Sequence, residues 1–281
     1  MQKPKIIFID LDGTTLDGPE EKFWMRSATE FTKKTLTELN KQIPVVVATG
    51  RGLSAKTSDI VKGLTGEITY IAWNGAVTVE NGKIISEEII EPEKAQLLFD
   101  LISKKFAFVT IDSRHVYVKN YLYYIIKFVN KIYKNFSKKF RWITNAKPYK
   151  DFKNDYPIHK ALLSSLSARK AAKFAKRWKE KYGDMFEIAF VGEKNKTLEI
   201  TKIGSSKGEA EVAYCKLKGI DPEDAMHIGD SMNDSTTKGK VGTLIAMQNS
   251  VPELKKIADE ITEFPCNQSG LAKYLSQFLD K

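Results

Sequence analysis

Cysteine is nearly missing. Cys215 and Cys266 are the only two in 281 residues, and they stand far apart with no metal-type spacing. The sequence therefore predicts two reduced, buried thiols in a cytosolic protein. Histidine is almost as scarce: His115, His159 and His227 lie in unrelated segments, and no two have ligand spacing. Each reads as a core or surface residue. Long apolar runs are missing too. None reaches the roughly 18 residues a membrane span needs. The opening "MQKPKIIFID" is basic, but its apolar stretch is too short for a signal peptide before the acid arrives. The expected setting is the cytoplasm, with no membrane partner. Internal repeats and low-complexity linkers are absent as well.

What is present is a globular composition, 42% hydrophobic and 28% charged, in a chain long enough for one large domain or two ordinary ones. The net charge of +10 is unevenly spread. Between Glu93 and Val191, 22 basic residues face 8 acidic ones, an excess of +14, and the remainder carries −4. That asymmetry predicts two domains with different duties.

The flanks share one grammar. "KIIFI", "IPVVVATG" and "EITYIAW" read as buried strands, separated by amphipathic helices at "SATEFTKKTLTELNKQ", capped at Ser27, and "LSAKTSDIVKGL". "NGAVTVENGKII" reads as a hairpin turning at Asn81-Gly82. After the middle come a helix at "SSKGEAEVAYCKLKG", strands at "DAMHIGD" and "VGTLIAM", and helices at "VPELKKIA" and "SGLAKYLSQFL". This is an α/β pattern, a doubly wound, Rossmann-like parallel sheet built from residues 1–90 and 192–281. Residues 91–191 read as an inserted α+β domain. It includes a long aromatic helix, "YLYYIIKFVNKIYKNF", whose stripe Tyr121, Tyr124, Ile125, Phe128 and Ile132 is expected to be a buried face. Its run "ARKAAKFAKRWKEK", with Arg169, Lys170 and Lys173, reads as a solvated helix face.

In a doubly wound sheet, ligands bind where strands end in loops. Asp10, Thr49, Asn74 and Asp230 each follow a strand, and Lys207 opens a helix. Two carboxylates a few ångströms apart cannot both ionise cheaply unless a cation intervenes. A hard cation with oxygen ligands, Mg²⁺, would hold Asp10 and Asp230 ionised and leave Asp12 to work as an acid. A carboxylate beside such an ion can attack phosphorus and split a slow hydrolysis into two steps. Lys207, Thr49 and nearby backbone N–H groups would compensate the charge.

"DLDGTT", "ATGR", "SSKGEA" and "GDSMND", in that order, resemble the four motifs of the haloacid dehalogenase superfamily of phosphohydrolases. "WNGA" and the large insertion after it resemble the Cof-like branch, with its α+β cap, and "AMQNSVPELKKIADEIT" is similar to that branch's closing segment. The resemblance implies a phosphoric monoester hydrolase with Asp10 as nucleophile and Mg²⁺ ligand. It implies Asp12 as general acid/base, binding the metal through its backbone carbonyl, and Asp230 as a further ligand. Thr49, Gly50 and the Leu11 amide would hold phosphoryl oxygens, and Lys207 would neutralise the phosphate and Asp10. Asn233 and Asp234 would act on phosphate, metal-bound water or Lys207, and Asn74 is a candidate substrate contact. The sequence departs from the branch at Lys202, where Pro is usual, and after Asp234, where "STTKGKVG" lacks the usual Met-Leu or Met-Phe. It also has "AMQNS" for the commoner "AMGNA". A small phosphorylated metabolite is the expected substrate. The alternatives are a phosphomutase or phosphotransferase using the same intermediate, and a nucleic-acid-binding protein using the basic middle. No nucleic-acid motif supports the last, and nothing in the sequence indicates the oligomeric state.

Overall fold

The computed structural model describes residues 3–19, 26–111, 115–132, 145–165, 167–191 and 196–279. The chain folds as two units, residues 1–88 with 204–281, and residues 89–203. The first opens with β1 (Ile6–Ile9), α1 (Glu30–Asn40), β2 (Val45–Ala48), α2 (Ala55–Thr65) and β3 (Tyr70–Ala72). The hairpin of β4 (Val77–Glu80) and β5 (Lys83–Glu87) follows. It turns where predicted, with Asn81 and Gly82 both at positive φ, as a tight two-residue turn requires. The α1 cap is Thr29 rather than Ser27. Asp17 decides this: it accepts from the Thr29 backbone N–H and hydroxyl, at 2.7 and 2.9 Å, and anchors the chain at that residue.

The second unit contains α3 (Pro92–Ser103), β6 (Phe108–Thr110), β7 (Val116–Val118), α4 (Asn120–Ile132), β8 (Ala146–Pro148), β9 (Lys160–Ser164), α5 (Ala168–Tyr182), β10 (Phe186–Val191) and β11 (Thr197–Lys202). Its six strands run in the order β10-β11-β9-β6-β7-β8, antiparallel except for β7 with β8. Helices α3 and α5 cover one face through Leu98, Phe99, Ile102, Ala171 and Trp178, against Val109, Leu163, Leu198 and Ile200. Phe108, Thr110, Leu162 and Thr197 alternate to the other face.

Two sequence expectations need correction here. The insertion does not end at Val191 but runs to Ile203, and it begins at Ile89. Residues 197–202 form β11, which bonds to β9 and β10 along its whole length. The apolar stripe of α4 is not a buried face. Tyr121, Tyr124, Ile125, Phe128 and Ile132 are all more than half exposed, and the helix buries only Ile126. Helical spacing identifies an apolar face but not what covers it. The part of that predicted helix beyond Ile132 lies outside the described residues. Arg169, Lys170 and Lys173 are solvated, as expected.

The chain re-enters the first unit through α6 (Lys207–Leu217), β12 (Ala225–Gly229), β13 (Thr243–Ala246), α7 (Pro252–Ile257), β14 (Glu260–Ile261) and α8 (Gly270–Leu275). Its sheet has the order β14-β13-β12-β1-β2-β3-β4-β5, parallel from β14 to β3 and antiparallel over the last two pairings. Strand β1 is wholly buried at the centre. Ile7 and Ile9 face the α1, α2 and α8 side, and Ile6 and Phe8 face α6. Burial on both faces explains why the run is continuously apolar rather than alternating. Both cysteines are free and buried, and burial pushes each thiol up to about 12. Among the described residues no helix is long and apolar enough to cross a membrane.

Candidate active site

Register brings the loops together. Ile9 lies beside Val47 on one side and Ile228 on the other, and Ala48 lies beside Ile71. Asp10, Thr49, Asn74 and Asp230 therefore leave the sheet along one edge. Asp10 is held at the strand end by its N–H to the Ile228 carbonyl, 2.9 Å. The chain then doubles back, and the Leu11 carbonyl accepts from the N–H groups of Thr15 and Leu16. The turn depends on Gly13, at φ +87°. A Cβ there would come within 2.3 Å of Asp230 Oδ2. No L side chain fits without moving that carboxylate.

Lys207 enters from the first turn of α6, which Ser206 caps by accepting from the Glu209 N–H. The helix approaches the turn at residues 234–237 so closely that a Cβ on Gly208 would lie 2.1 Å from the Thr236 carbonyl oxygen. That approach carries the fully buried Lys207 between two acids. Nζ donates to Asp10 Oδ1 at 2.5 Å and to Asp234 Oδ1 at 2.6 Å. Burial alone would lower the lysine's pKa, but the two carboxylates more than offset it and hold the ammonium charged.

Oxygens of Asp10, Asp230 and Asp234 lie within 4.8 Å of one another. Asp234 is already saturated. Its Oδ1 accepts from Lys207 and from His227 Nε2 at 3.0 Å, and its Oδ2 accepts from the Asp230 and Ser231 N–H groups at 3.0 and 2.9 Å. A carboxylate offers about four acceptor sites, and all four are in use. Lys207 and His227 hold this acid well below the usual carboxylate range against the opposing effect of burial. Asp10 and Asp230 behave oppositely. Burial first, then neighbouring carboxylates, push both up, although Lys207 opposes the rise. The donor set fits a divalent cation: two oxygen donors that repel each other, beside a third acid whose sites are taken by protein hydrogens. The formal charges agree. Glu211, His227, Asp234, Lys207, Asp10 and Asp230 together sum to −2.

The chain matches the model of the haloacid dehalogenase-like hydrolases over residues 7–275. It belongs to that family. A curated relative, the 5-amino-6-(5-phospho-D-ribitylamino)uracil phosphatase YwtE of Bacillus subtilis (strain 168), is 27% identical, with 98% of each chain covered. A solved haloacid dehalogenase-like hydrolase from B. subtilis superposes with a TM-score of 0.74 at 22% identity, over 97% of this chain and 99% of its own. The structure of SMU.1108c from Streptococcus mutans UA159 gives 0.77 at 18% identity, over 98% and 99%. At these identities, the two solved structures speak to the fold alone.

In this haloacid dehalogenase-like hydrolase, the other predicted residues take specific places. Asp12 is not part of the acid cluster. Its carboxylate accepts a two-pronged pair of bonds from Arg51, Nε to Oδ2 at 2.7 Å and the second nitrogen to Oδ1 at 2.5 Å. Thr49 is buried and accepts from the Arg51 N–H at 3.1 Å, closing the "TGR" turn. Asn74 has φ +56°, donates its backbone N–H to the Thr49 carbonyl, and accepts from Asn233 Nδ2 at 2.9 Å. A Cβ on Gly50 would press on the Asn74 side chain at 3.1 Å. These bonds join the β2, β3 and β12 loops into one rim.

Sequence reasoning missed two participants and left a third, Arg51, open between a structural role and a substrate contact. Arg51 stood beside Thr49 without an assigned partner. His227 and Glu211 were not read as part of the site, yet His227 bridges Glu211 Oε1 at 2.7 Å and Asp234 Oδ1 at 3.0 Å, all three fully buried. One signal was available: Glu211 stands four residues after Lys207, on the same face of α6.

Proposed function

We propose that this chain, a haloacid dehalogenase-type phosphoric monoester hydrolase, is a Mg²⁺-dependent phosphatase of small phosphorylated metabolites that works through a phosphoryl-aspartate on Asp10. One observation supports this above the rest: a buried carboxylate at a strand end, gripped by a buried lysine, beside a second carboxylate that repels it.

Asp10 attacks phosphorus through one carboxylate oxygen while Lys207 Nζ holds the other. The P–O bond to the leaving group breaks, and Asp12 delivers a proton to the departing oxygen. Asp12 then takes a proton from the water that attacks the phosphoryl-aspartate, releasing phosphate and restoring Asp10. The Asp12–Arg51 pair holds the acid in one orientation between turnovers. Two of the three Lys207 donors are committed to carboxylates, which leaves one for a transferring oxygen. Thr49, Gly50 and the Leu11 amide would complete its cradle, and Asn74 and Asn233 would steady the rim. Asp10, Asp230 and the Asp12 backbone carbonyl would hold Mg²⁺. When bound, the ion keeps the carboxylates ionised and offsets charge on the phosphoryl group. The +14 excess between Glu93 and Val191 would attract anionic substrates to the chain. The proposed substrate class is the one named for the B. subtilis relative, a small molecule bearing a phosphate ester.

A panel of sugar phosphates, nucleotides and cofactor phosphates tests the reading. Phosphate release should need both Mg²⁺ and Asp10, and activity surviving Asp10→Ala would refute the mechanism. Label from ¹⁸O-water entering the released phosphate supports hydrolysis. Transfer to an acceptor hydroxyl without label would make the chain a phosphotransferase.

A further inference from the structure

Five buried ionisable side chains form a row beneath the rim, in the order Glu211, His227, Asp234, Lys207, Asp10. Each lies within 3.0 Å of the next. Four are fully buried, and Asp10 is nearly so. The proposed reaction uses the last two and an immediate neighbour, but it does not use Glu211 or His227. A buried ion pair is weak evidence for stability, because desolvation consumes most of the attraction. Its placement is the informative part.

Lys207 and Glu211 are one turn apart on α6. His227 lies on β12, and Asp234 belongs to the turn that follows it. The Lys207–Asp234 and Glu211–His227 pairs therefore fasten the same helix to the same strand and loop at two adjacent levels. They also meet at one atom: Lys207 Nζ and His227 Nε2 both bond to Asp234 Oδ1. The lysine has the shorter bond, 2.6 Å against 3.0 Å. With the imidazole sharing that oxygen, Asp234 draws less strongly on the ammonium. More of the lysine's charge is then left for Asp10 and for a phosphoryl oxygen.

We propose that Glu211 and His227 are positioning residues for Lys207. Glu211 orients the His227 ring, the ring shares Asp234 Oδ1, and Lys207 stays centred between Asp234 and Asp10. The inference rests on the aspartyl-phosphate reading, because it gives Lys207 its purpose. Neither residue touches the reacting atoms.

The test replaces the charged pair with an apolar one, Glu211→Leu with His227→Leu, which removes one charge of each sign. Hydrolysis of p-nitrophenyl phosphate is then followed with saturating Mg²⁺. Loss of outer partners of metal ligands typically costs about 10–100-fold, and Lys207 holds one proposed ligand, Asp10. We expect kcat to fall within that range and KM to stay within about threefold. In an Asp234→Asn background the same exchange should cost less than about twofold, because the effect travels through Asp234. An unchanged kcat in a folded variant, or an equal loss in both backgrounds, overturns the proposal. If the leucine pair does not fold, nitrogen NMR of otherwise wild-type protein decides. The His227 Nε2–H resonance should move in Lys207→Met, and an unmoved resonance overturns the proposal. Failure of the wild-type protein to hydrolyse any phosphoester defeats the phosphatase reading itself and is a separate result.

Discussion

Replacing Asp230 with Asn should make the cation-free protein more stable. Asp230 sits beside Asp10 and Asp234, and burial and those two charges raise its pKa. The folded state thus binds a proton that the unfolded chain has already released above about pH 4. Where the folded state binds more protons, stability falls as pH rises. An acid protonated only when folded gives a slope of about 1.4 kcal/mol per pH unit, or about 3 kcal/mol from about pH 5 to about pH 7. Asp230 keeps part of its surface in water, so screening reduces this to about 1–2 kcal/mol. For a protein of this size that is roughly 2–8 °C in Tm. Thermal melts in chelator should show wild type losing stability over that window and Asp230→Asn losing much less. Added Mg²⁺ should flatten the wild-type slope and raise its Tm by mass action, and should do neither to the variant. A variant no more stable than wild type in chelator would refute the repulsion argument. A full Mg²⁺ shift in the variant would remove Asp230 from the ion's ligands.

Three other perturbations follow from named contacts. Asp17 also accepts from the hydroxyls of Thr32 and Ser269, each at 2.6 Å, so Asp17→Ala strands several donors. The loss should be about 2–4 kcal/mol of stability in chemical denaturation, with activity per folded molecule retained. Gly13→Ala must strain a positive-φ residue and displace Asp230, so the Mg²⁺ concentration for half-maximal activity should rise by at least about tenfold. Among the pH effects, His227 has the same sign as Asp230 but acts in a more alkaline window. Glu211 and Asp234 raise it to about 9 despite burial, so its contribution is complete below about pH 6.5 and is lost as pH rises through about 9. Alkaline melts should show a falling stability in wild type that the Glu211→Leu/His227→Leu variant lacks.

The rim was legible because each member announces itself locally. A run such as "IIFI", too short for a helix of its own, reads as a strand buried on both faces, and an acid placed directly after such a strand falls at the sheet's edge. Strand spacing then puts Asp10, Thr49, Asn74 and Asp230 on the same edge before any coordinate is known. The features that escaped all depend on partners distant in sequence. In "TLEITK" the alternating pattern includes Glu199, an acid that a single-strand reading places in water. It is buried because Lys160, 39 residues earlier, meets it at 2.6 Å across β9 and β11. The Thr29 cap depends in the same way on Asp17, and the α4 stripe is exposed because no described element packs over it, which helical periodicity does not specify.

The same reasoning explains why the partner of Arg51 and the place of His227 were missed, although both stand within three residues of a recognised position. Arg51 follows Thr49 by two, and His227 precedes Asp230 by three. A strand-end motif specifies which groups reach the rim, but not which cations compensate them, because compensation comes from whichever chain packs alongside. Four acids, Asp10, Asp12, Asp230 and Asp234, gather within a few residues of two strand ends here. Lys207, His227 and Arg51, each from a different element, keep two of them, Asp234 and Asp12, engaged. Asp10 has only the lysine that it shares with Asp234, and among the described residues the Asp230 carboxylate has no ion pair. Asp10 and Asp230, the acids with the least cationic compensation, are where the proposed cation would sit, so the geometry of compensation separates ligand from scaffold where residue type alone does not.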